Sequence, residues 1–371
     1  MIAIISSSAE GGIRKHILDL LNNSVVLRKN CSFIAYPSNQ QDMAFRDRDI
    51  GSYKWIGLNI KKSLGTRDIY NFLSILTYLF LFKIKVVHAH GAKAGLYARL
   101  AKLFKWNLSV IYSPHGGAFH RDNQGVNRRL IILLESFLDK LTNELVFESK
   151  HARNIYIENI KNSKTKYSII YNSVEPKIIE SRASYISCDI EDKRKKGLSI
   201  ITLIGRIRKI KGHDLLISAL KKTTTPTFVY FVGTFEDDYK EEIKSTLEGV
   251  EYCFWGDESD VSGFYIYSDV LVVPSRAESF GYVAVEASLF DCVIVASNIP
   301  PFLETLSNYE SVYFFETENP DSLATALSQA LQTSRPTLNH KSKSNFTLTS
   351  FIRSFDKLYV RLFLKSHQAH N

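Results

Sequence analysis

The clearest candidate chemistry lies in the segment SRAESFGYVAVEAS (275–288), where Glu278 and Glu286 flank a Ser-Phe-Gly break. An apolar run precedes this segment, and a helical pattern follows it. In one continuous helix the two carboxylates would point about 80° apart, so they would not share a face. One interpretation makes Ser275 a helix N-cap and Glu278 its capping-box partner.

The alternative interpretation starts the helix near residues 279–281, because a glycine within the first turns of a helix is unfavourable. Glu278 then lies in a loop, and Glu286 points from the body of the helix. A carboxylate accepts two hydrogen bonds from a vicinal diol, so either glutamate suits the hydroxyls of a sugar or a ribose. The backbone N–H groups of Phe280 and Gly281 would then face an anion.

A second loop between a strand and a helix, GRIRKIKG (205–212), is rich in basic residues. Arg206 and Lys211 lie between Gly205 and Gly212. An arginine fork and a lysine charge at a helix entrance neutralise a diphosphate without a metal. The alternative is a solvated basic loop, since two further basic residues separate them.

The loop SSSAEGGIRKH (6–16) also joins a strand to a helix, and it contains Gly11 and Gly12. Two glycines before a helix allow the backbone to approach a phosphate. A purely steric role in the turn is the alternative.

Histidines follow two other predicted strands, in VVHAHGAKAG (86–95) and YSPHGGAF (112–119). His88 and His90 have the spacing of a ligand pair, but no third ligand is close in sequence, so no metal site is predicted. His115 is the better candidate for a ligand-facing residue. A buried histidine of the core is the alternative for it.

Other nucleotide and metal motifs are absent from the sequence or poorly placed. The Asp47-Arg48-Asp49 triplet has the form of a metal–nucleotide motif, but it lies in a polar stretch without a preceding strand. We interpret it as a salt-bridged loop. Neither GxxxxGK[ST] nor a GxGxxG after a strand occurs, which argues against ATP and NAD binding.

The elements around these loops alternate between strand and helix, which predicts an α/β fold with two doubly wound parallel sheets. The expected domains are residues 1–175 and 199–348, with a linker at 176–198 and a final helix at 349–371. The predicted strands are 2–6, 31–37, 86–90, 108–114, 144–149, 167–173, 198–206, 227–233, 250–256, 270–275, 292–297 and 311–315. The predicted helices are 13–24, 66–83, 94–104, 128–141, 213–221, 237–247, 281–290 and 349–365. Ligands bind such sheets at the carboxyl ends of their strands, so we expect a cleft between the domains.

Charge is unevenly distributed along the 371 residues. Residues 1–170 hold 25 Lys/Arg and 12 Asp/Glu, a net charge of +13, whereas residues 171–371 carry −4. This asymmetry predicts an anionic partner for the first half. A membrane surface fits better than nucleic acid, because no basic–aromatic recognition module is present. The alternative is that the first half has no specific partner.

The remaining composition is that of a globular intracellular protein. The most apolar run, residues 69–82, is too short to span a bilayer and is predicted to be a buried or interfacial helix. No basic n-region precedes the first strand, so no secretory signal is expected. The four cysteines are scattered, which favours a reduced, cytoplasmic protein.

Taken together, the motifs resemble those of the family-4 retaining glycosyltransferases of the GT-B architecture, in particular those that build bacterial surface polysaccharides. The resemblance covers roughly residues 1–330. It includes an E-x7-E pair, Glu278 and Glu286, and an Arg-x4-Lys element, Arg206 and Lys211. The other segments that carry it are GG (11–12), HAHGAKAG, SPHGGAF, FES (147–149), YNSV (171–174) and SNIPPFLET (297–305).

The resemblance implies a role for each matching residue. Arg206 and Lys211 would hold the donor diphosphate, and Glu278 would bind the transferred sugar. Glu286 would bind the ribose, and His115 would contact the sugar. The catalytic residues would be Glu278, His115, Arg206 and Lys211. Donor-binding residues would be Gly11, Gly12, Gly205, Arg206, Lys211, Ser279, Phe280, Gly281 and Glu286. The first domain would bind the acceptor and the second the nucleotide sugar, and the final helix would return to the first domain. Acceptor or membrane contacts would be His90, Lys93, Arg128 and Arg129.

The expected function follows from this resemblance. It is the retaining transfer of a hexose from a UDP- or GDP-sugar to a lipid-linked or oligosaccharide acceptor, without a metal cofactor, in lipopolysaccharide, O-antigen or capsule synthesis. The expected location is the inner face of the cytoplasmic membrane, on an anionic surface and without nucleic acid. The alternatives are a nucleotide-sugar epimerase of the same fold and a non-catalytic nucleotide-sugar or polyanion-binding protein.

Overall fold

The computed structural model describes residues 1–9, 11–38, 53–61, 63–116, 119, 126–175, 179–235, 239–258, 260–334 and 346–368. The chain divides into two compact units, Met1–Ser173 with Asn345–Asn371, and Val174–Ser344. The Asp47-Arg48-Asp49 triplet lies outside the described residues.

The described strands and helices alternate along most of the chain, as the sequence predicts. The strands are β1 (Ile2–Ser6), β2 (Cys31–Pro37), β3 (Lys54–Leu58), β4 (Val86–His90), β5 (Ser109–Ser113), β6 (Glu144–Phe147), β7 (Lys166–Ile169), β8 (Ser199–Ile204), β9 (Thr227–Val232), β10 (Glu251–Gly256), β11 (Val270–Val273), β12 (Ile294–Ser297) and β13 (Val312–Phe315). The helices are α1 (Gly11–Asn23), α2 (Val25–Asn30), α3 (Thr66–Leu81), α4 (Ala92–Phe104), α5 (Val126–Asp139), α6 (Lys150–Asn159), α7 (Glu180–Arg194), α8 (His213–Leu220), α9 (Lys240–Thr246), α10 (Ser262–Tyr267), α11 (Tyr282–Leu289), α12 (Pro300–Thr305), α13 (Pro320–Leu331) and α14 (Leu348–Gln368).

The first unit is built on a parallel sheet in which the described strands have the order β3-β2-β1-β4-β5-β6-β7. Its central strands are buried along their whole length, because helices cover both faces of the sheet. One face packs against α3, α4 and α6, and the other packs against α1, α2 and α14. The final helix therefore belongs to the core of the first unit.

The second unit repeats this architecture with a parallel sheet of described strands in the order β10-β9-β8-β11-β12-β13. Helices α8, α9 and α13 cover one face, and α7, α10, α11 and α12 cover the other. Two doubly wound parallel sheets, one in each unit, are the fold class that the sequence predicts.

Helix α7 lies inside the segment that the sequence analysis describes as a linker. Its Ala183, Ile186 and Ile190 are buried, with the 3–4 residue spacing of one helix face. The other positions of the helix are mostly polar, so the apolar stripe is narrow and escaped the sequence analysis. The segment 180–194 is a packed helix of the second unit.

Candidate active site

The candidate site of each unit lies where the order of its strands reverses. In the second unit β8 and β11 are neighbours at the centre of the sheet. Strands β9 and β10 follow outward on the side of β8, and β12 and β13 follow outward on the side of β11. In the first unit β1 and β4 have the same relation. Loops at such a reversal diverge and leave a crevice at the carboxyl ends of the strands, where α/β sheets bind ligands.

In the second unit, the loop after β8 lies close against the end of β11. Arg206 is exposed immediately after Gly205, and a 3₁₀ turn at Lys209–Lys211 leads to α8. Gly212 precedes α8 with φ +71°, and a Cβ atom there would lie 2.0 Å from the carbonyl oxygen of Pro274. Only glycine allows this conformation and this close approach.

This close packing brings together two residues that the sequence assigns to different ends of a ligand. The Lys211 ammonium contacts Oε1 of Glu278, and the Ser275 hydroxyl donates a hydrogen bond of 3.1 Å to the same oxygen. The side chains of Lys211 and Glu278 are 25 % and 18 % exposed, so both still reach solvent. The result is an ion pair at the carboxyl edge of the sheet.

Helix α11 begins at Tyr282, after Gly281 with φ +85°. Glu278 therefore lies in the preceding loop and Ser275 bonds its side chain, so the capping-box interpretation is wrong and the loop interpretation is confirmed. A Cβ atom at Gly281 would lie 2.5 Å from the ring of Phe302. The N-terminal end of α11, which carries the positive end of the helix dipole, therefore lies next to this loop.

The other predicted residues of this loop and helix have distinct surroundings. Phe280 is buried, and Ser279 beside it is half-buried. Oε2 of Glu286 accepts a hydrogen bond of 2.9 Å from the Tyr265 hydroxyl. Burial, and then the Glu286 charge, raise the pKa of Tyr265 well above its usual value, so the phenol stays protonated and donates.

Arg276 organises this site, although the sequence analysis assigned it no role. Its guanidinium donates two hydrogen bonds of 2.8 Å to the carboxylate of Asp214 on α8 and one of 2.5 Å to the carbonyl of Lys209. Burial acts to raise the pKa of Asp214, but the Arg276 hydrogen bonds and charge outweigh it and lower that pKa. The pairing spans 62 residues of sequence, so no local pattern could reveal it.

The corresponding position in the first unit is lined by histidines. Nδ1 of His90, at the end of β4, lies 3.0 Å from Nε2 of His115 after β5. His16 projects from α1, with its ring centroid 4.9 Å from that of His115, and its Nδ1 lies 2.7 Å from Oδ1 of Asn172. The sequence analysis missed His16, because the β1–β4 pairing that brings it here joins distant segments.

These imidazoles are neutral at neutral pH. Burial lowers the pKa of His115 to about 4. Burial and the nearby His115 lower the pKa of His16 to about 3. Burial likewise holds the pKa of His90 well below 6.5. Neutral rings both donate and accept hydrogen bonds, so this site suits uncharged hydroxyls.

His115 also has an unusual backbone conformation, with φ +48°. A left-handed conformation in a non-glycine residue costs about 1–2 kcal/mol and is found preferentially at functional sites. Its Nδ1 lies 4.0 Å from Oε2 of Glu148, a residue of the FES motif. The backbone therefore directs this ring towards the histidine cluster.

The two glycines of the first loop open α1, and both are exposed. Gly11 has φ +57°. The loop before them is held to β4, since the amide of Ser7 donates a hydrogen bond of 3.0 Å to the carbonyl of His90. A Cβ atom at Gly91 would lie 2.2 Å from the Ser7 hydroxyl.

The three basic residues predicted to contact an acceptor or membrane have different surroundings. The Lys93 ammonium lies 2.8 Å from the Asp68 carboxylate and 2.7 Å from the carbonyl of Ser63, which ties α4 to the start of α3. Arg128 and Arg129 are exposed on α5. Lys93 therefore has a structural function that the sequence did not suggest.

The chain matches two family profiles in succession. "Glycosyltransferase Family 4" matches residues 11–177, and "Glycosyl transferases group 1" matches residues 189–346.

Several curated relatives match most of the chain. An uncharacterized 41.2 kDa protein in the cps region of Klebsiella pneumoniae is 27 % identical over 309 residues, 82 % of each chain. The UDP-Gal:alpha-D-GlcNAc-diphosphoundecaprenol alpha-1,3-galactosyltransferase of Escherichia coli is 23 % identical, over 79 % of this chain and 80 % of the relative.

Solved structures match the fold of nearly the whole chain. HepE of Anabaena, in complex with UDP and glucose, has a TM-score of 0.79 at 16 % identity, over 97 % of this chain and 100 % of that one. WaaG, a glycosyltransferase involved in lipopolysaccharide biosynthesis, has a TM-score of 0.68 at 14 % identity, over 96 % and 99 %. At these identities the likeness concerns the fold.

Proposed function

We propose the reaction of this chain from its membership of glycosyltransferase family 4, to which its two halves match. The chain has the GT-B fold. It is a glycosyltransferase of polysaccharide biosynthesis. It transfers a hexose from a nucleotide-diphosphate sugar to a saccharide acceptor, with retention of the anomeric configuration and without a metal cofactor. UDP is the favoured nucleotide, because the structural neighbour HepE binds UDP and glucose.

The observation that carries this proposal is the Lys211–Glu278 pair at the strand reversal of the second unit. It combines a cation for a diphosphate with a carboxylate for hydroxyl groups at one point. Both contacts described for Glu278 fall on its Oε1, and we assign Oε2 to the hydroxyls of the transferred sugar. Lys211 and the exposed Arg206 then meet the diphosphate.

Positive charge at this position acts on the chemical step. The bond between the anomeric carbon and the phosphate oxygen breaks, and negative charge develops on the leaving nucleotide diphosphate. Preorganised charges that meet it are worth about 10²–10³-fold in rate each. Arg206, Lys211 and the N-terminal end of α11 supply them.

The other groups position the two substrates. Glu286, held by the Tyr265 hydroxyl, binds the ribose hydroxyls of the donor in the second unit. The neutral histidines of the first unit, His115 among them, bind hydroxyls of the acceptor. The acceptor hydroxyl forms the new bond on the face that the phosphate leaves, and its proton passes to a phosphate oxygen of the leaving group. The anomeric configuration is thereby retained.

The test is incubation of the purified full chain with UDP- and GDP-hexoses, with and without a lipid-diphosphate saccharide acceptor, followed by nucleotide and product analysis. We expect nucleotide release from one donor and its loss by about 10²-fold or more in Glu278→Gln. Glu248→Gln, an exposed glutamate elsewhere in the second unit, is the matched control. Conversion to a new nucleotide sugar without nucleotide release would identify an epimerase, and no donor binding would contradict the proposal.

We further propose that the acceptor is lipid-linked and that the first unit docks on an anionic bilayer. The helices α3, α4 and α5 expose large apolar side chains on the side of the sheet opposite α1 and α14. They are Ile69, Tyr70, Leu73, Phe80, Leu81, Leu103, Phe104, Leu130, Leu133, Leu134 and Phe137. We call this set the apolar face.

The arrangement on α3 is not that of an ordinary surface helix. Its exposed apolar residues fall within an arc of about 120°, opposite the buried Ile75 and Leu79 that join the core. The ring centroids of Phe72 on α3 and Phe104 on α4 lie 5.8 Å apart. The two helices therefore pack against each other, and their exposed apolar residues form one surface. Exposed apolar surface of this extent marks a site of interaction with a membrane or a protein.

Charge favours the membrane as the partner. Basic residues lie on the same helices or just after them, at Arg67, Lys83, Lys105 and Arg129, and the first 170 residues carry +13 overall. The Lys105 ammonium lies 4.7 Å from the ring centroid of the exposed Phe80. Each such residue near an anionic leaflet contributes about 1 kcal/mol. Among the described residues no helix has the length and apolarity needed to cross a bilayer, so the proposed attachment is interfacial.

Flotation with liposomes of neutral and anionic lipid tests this attachment. We expect binding to anionic vesicles that falls about 100-fold when Ile69, Leu73 and Phe80 are all changed to Ser, because three half-exposed side chains contribute about 3 kcal/mol. Leu303→Ser, an exposed leucine of the second unit, is the control. Equal recovery of the wild type in the soluble fraction with both lipids would contradict the proposal.

A further inference from the structure

We propose that a basic cavity in the first unit, away from the candidate active site, binds a ligand that carries more than one phosphate group. The cavity has a volume of about 900 Å³ and lies between the end of α5, the starts of β6 and β7, and α14. Its walls carry five lysines, which we call the lysine cluster: Lys140, Lys161, Lys164, Lys166 and Lys365. Cavities of about 300–1,000 Å³ hold small organic ligands, so there is room for more than one phosphate group.

The cavity lies at the edge of the sheet opposite the histidines. Glu144 begins β6 and Lys166 begins β7, so the cavity is at the amino ends of these strands. His90 ends β4 and His115 follows β5, at the carboxyl ends. Because these strands are all parallel, the two positions are on opposite edges of the sheet. The proposed site is therefore separate from the proposed transfer reaction.

The lysine cluster differs from other lysines of the protein in its lack of carboxylate partners. Lys222 pairs with Asp321 at 2.6 Å, and Lys195 pairs with Asp192 at 3.0 Å. In the part of the chain that the structure describes, no ion pair involves an ammonium group of the lysine cluster. Like charges around one cavity repel one another, and an anion between them removes that repulsion.

Two carboxylates also line the cavity, but both are buried and bound within the first unit. Oδ1 of Asp139 accepts hydrogen bonds of 3.0 and 3.1 Å from two hydroxyl groups. Oε1 of Glu144 accepts one of 2.7 Å from the Ser168 hydroxyl and pairs with Arg361 at 2.8 Å. These bonds hold both carboxylates in the wall of the cavity. The lysines outnumber them, so the residues that line the cavity carry a net charge of +3.

A neutral donor, Asn143, also lines the cavity. Its Oδ1 accepts hydrogen bonds of 2.6 Å from the Lys102 ammonium and 2.9 Å from the amide of Val110. These two bonds fix the side-chain amide, so the group left to bind a ligand is Nδ2, which can only donate. Phosphate oxygens accept hydrogen bonds from ammonium and amide groups alike. The donors therefore favour an anion over a neutral ligand.

The charge indicates a ligand with about two phosphate groups. A phosphate monoester carries about −1.5 to −2 near pH 7, so two of them balance a charge of +3. Two sources supply this chemistry, a small diphosphate compound and the headgroup of a phospholipid with two phosphates. The second source rests on the proposed membrane attachment, since Ser136 of the cavity is next to Phe137 of the apolar face.

Calorimetric titration of the full chain with pyrophosphate, at constant ionic strength, tests the site. All chains carry Lys211→Ala, which removes the proposed donor clamp, so failure of the proposed function does not affect the result. We expect saturable binding that falls about 100-fold when Lys164→Gln and Lys166→Gln are combined, because each ammonium–phosphate hydrogen bond is worth about 10-fold or more.

The matched control combines Lys29→Gln and Lys357→Gln, which remove the same charge from exposed positions outside the cavity. This control should bind pyrophosphate as its parent does, and circular dichroism checks the fold of both pairs. No saturable binding in the Lys211→Ala chain, or equal weakening by the two pairs, would overturn the proposal.

Flotation with phosphatidylcholine vesicles, with and without cardiolipin, identifies the source of the phosphates. For a lipid headgroup, cardiolipin should increase binding of the wild type and of the control pair, and the Lys164/Lys166 pair should lose this increase. For a small diphosphate compound, both pairs should respond to cardiolipin as the wild type does, while pyrophosphate binding still requires the lysine cluster. Loss of neither response in the Lys164/Lys166 pair would contradict the site.

Discussion

The two units of this glycosyltransferase have their candidate sites at the same place in the same architecture, but the sites differ in charge. At the strand reversal of the second unit, Lys211 and Glu278 form an ion pair beside the exposed Arg206. At the reversal in the first unit, His90 and His115 pair as neutral rings. The fold provides a position for binding, and the side chains decide what binds.

This difference matches the two proposed substrates. A nucleotide diphosphate carries charge, and more develops on it as the sugar leaves, so ions are needed on its side. A saccharide acceptor presents uncharged hydroxyls, for which a neutral imidazole is both donor and acceptor. The contrast predicts unequal effects of substitution at the two positions.

The largest expected effect is on transfer activity. Lys211→Ala should lower kcat/KM by about 10²–10³-fold, because it removes charge that meets the leaving group. His115→Asn should lower it by only about 10-fold, since a neutral hydrogen bond contributes about 1 kcal/mol. Initial rates with the identified donor measure both. Lys222→Ala, which removes an exposed lysine paired with Asp321 on the same unit, is the control, and equal losses at Lys211 and His115 would refute the contrast.

A second expected difference concerns glycines at the two reversals. Gly212 and Gly91 have φ +71° and +82°, but a Cβ atom would meet a backbone carbonyl at Gly212 and the rotatable Ser7 hydroxyl at Gly91. We expect Gly212→Ala to cost about 3 kcal/mol and Gly91→Ala about 1 kcal/mol of the free energy of unfolding.

Urea unfolding measures these costs, with each variant expected to shift the transition of its own unit. Gly65→Ala is the control, because no heavy atom lies within 4 Å of its built Cβ atom. Equal costs at Gly212 and Gly91 would show that the hydroxyl at Ser7 is as rigid as the backbone.

The smallest expected effect is the pH dependence of the stability that the Arg276–Asp214 ion pair gives to the second unit. Since Arg276 keeps the pKa of Asp214 below the ordinary 3.8, their interaction stabilises the fold above about pH 4 and is lost as pH falls through the lowered pKa. Arg276→Met should therefore destabilise the second unit at pH 6 and approach the wild type near pH 3. Thermal unfolding across this range checks it, with Lys222→Met as control; a constant difference would contradict the pairing.

Much of the fold was predictable because both sheets are parallel and buried. Their strands are short continuous apolar runs, and the helices between them have a clear period. Helix α7 was missed because only a narrow stripe, ending at Ile190, is apolar. Short helices such as α10 and α12, with 6 residues each, are too brief for a period to show.

The candidate site was predicted unevenly for a related reason. The residues around Glu278 share one loop, so local order predicts that they lie together, and the family resemblance supplies their proposed functions. His16 and the Arg276–Asp214 pairing depend on strands that meet only in the folded sheet. Two quoted motifs, FES and YNSV, contain Glu148 and Asn172, but nothing in the sequence alone indicates that these face histidines.

Helix α14 has a consequence for synthesis of the chain. Its Phe351, Phe355 and Tyr359 are buried in the core of the first unit, against elements made more than 200 residues earlier. A ribosome therefore releases the complete second unit before the first can close its core, reversing the usual N-terminal-first order. Nascent chains arrested before residue 348 should expose that unfinished core to chaperones.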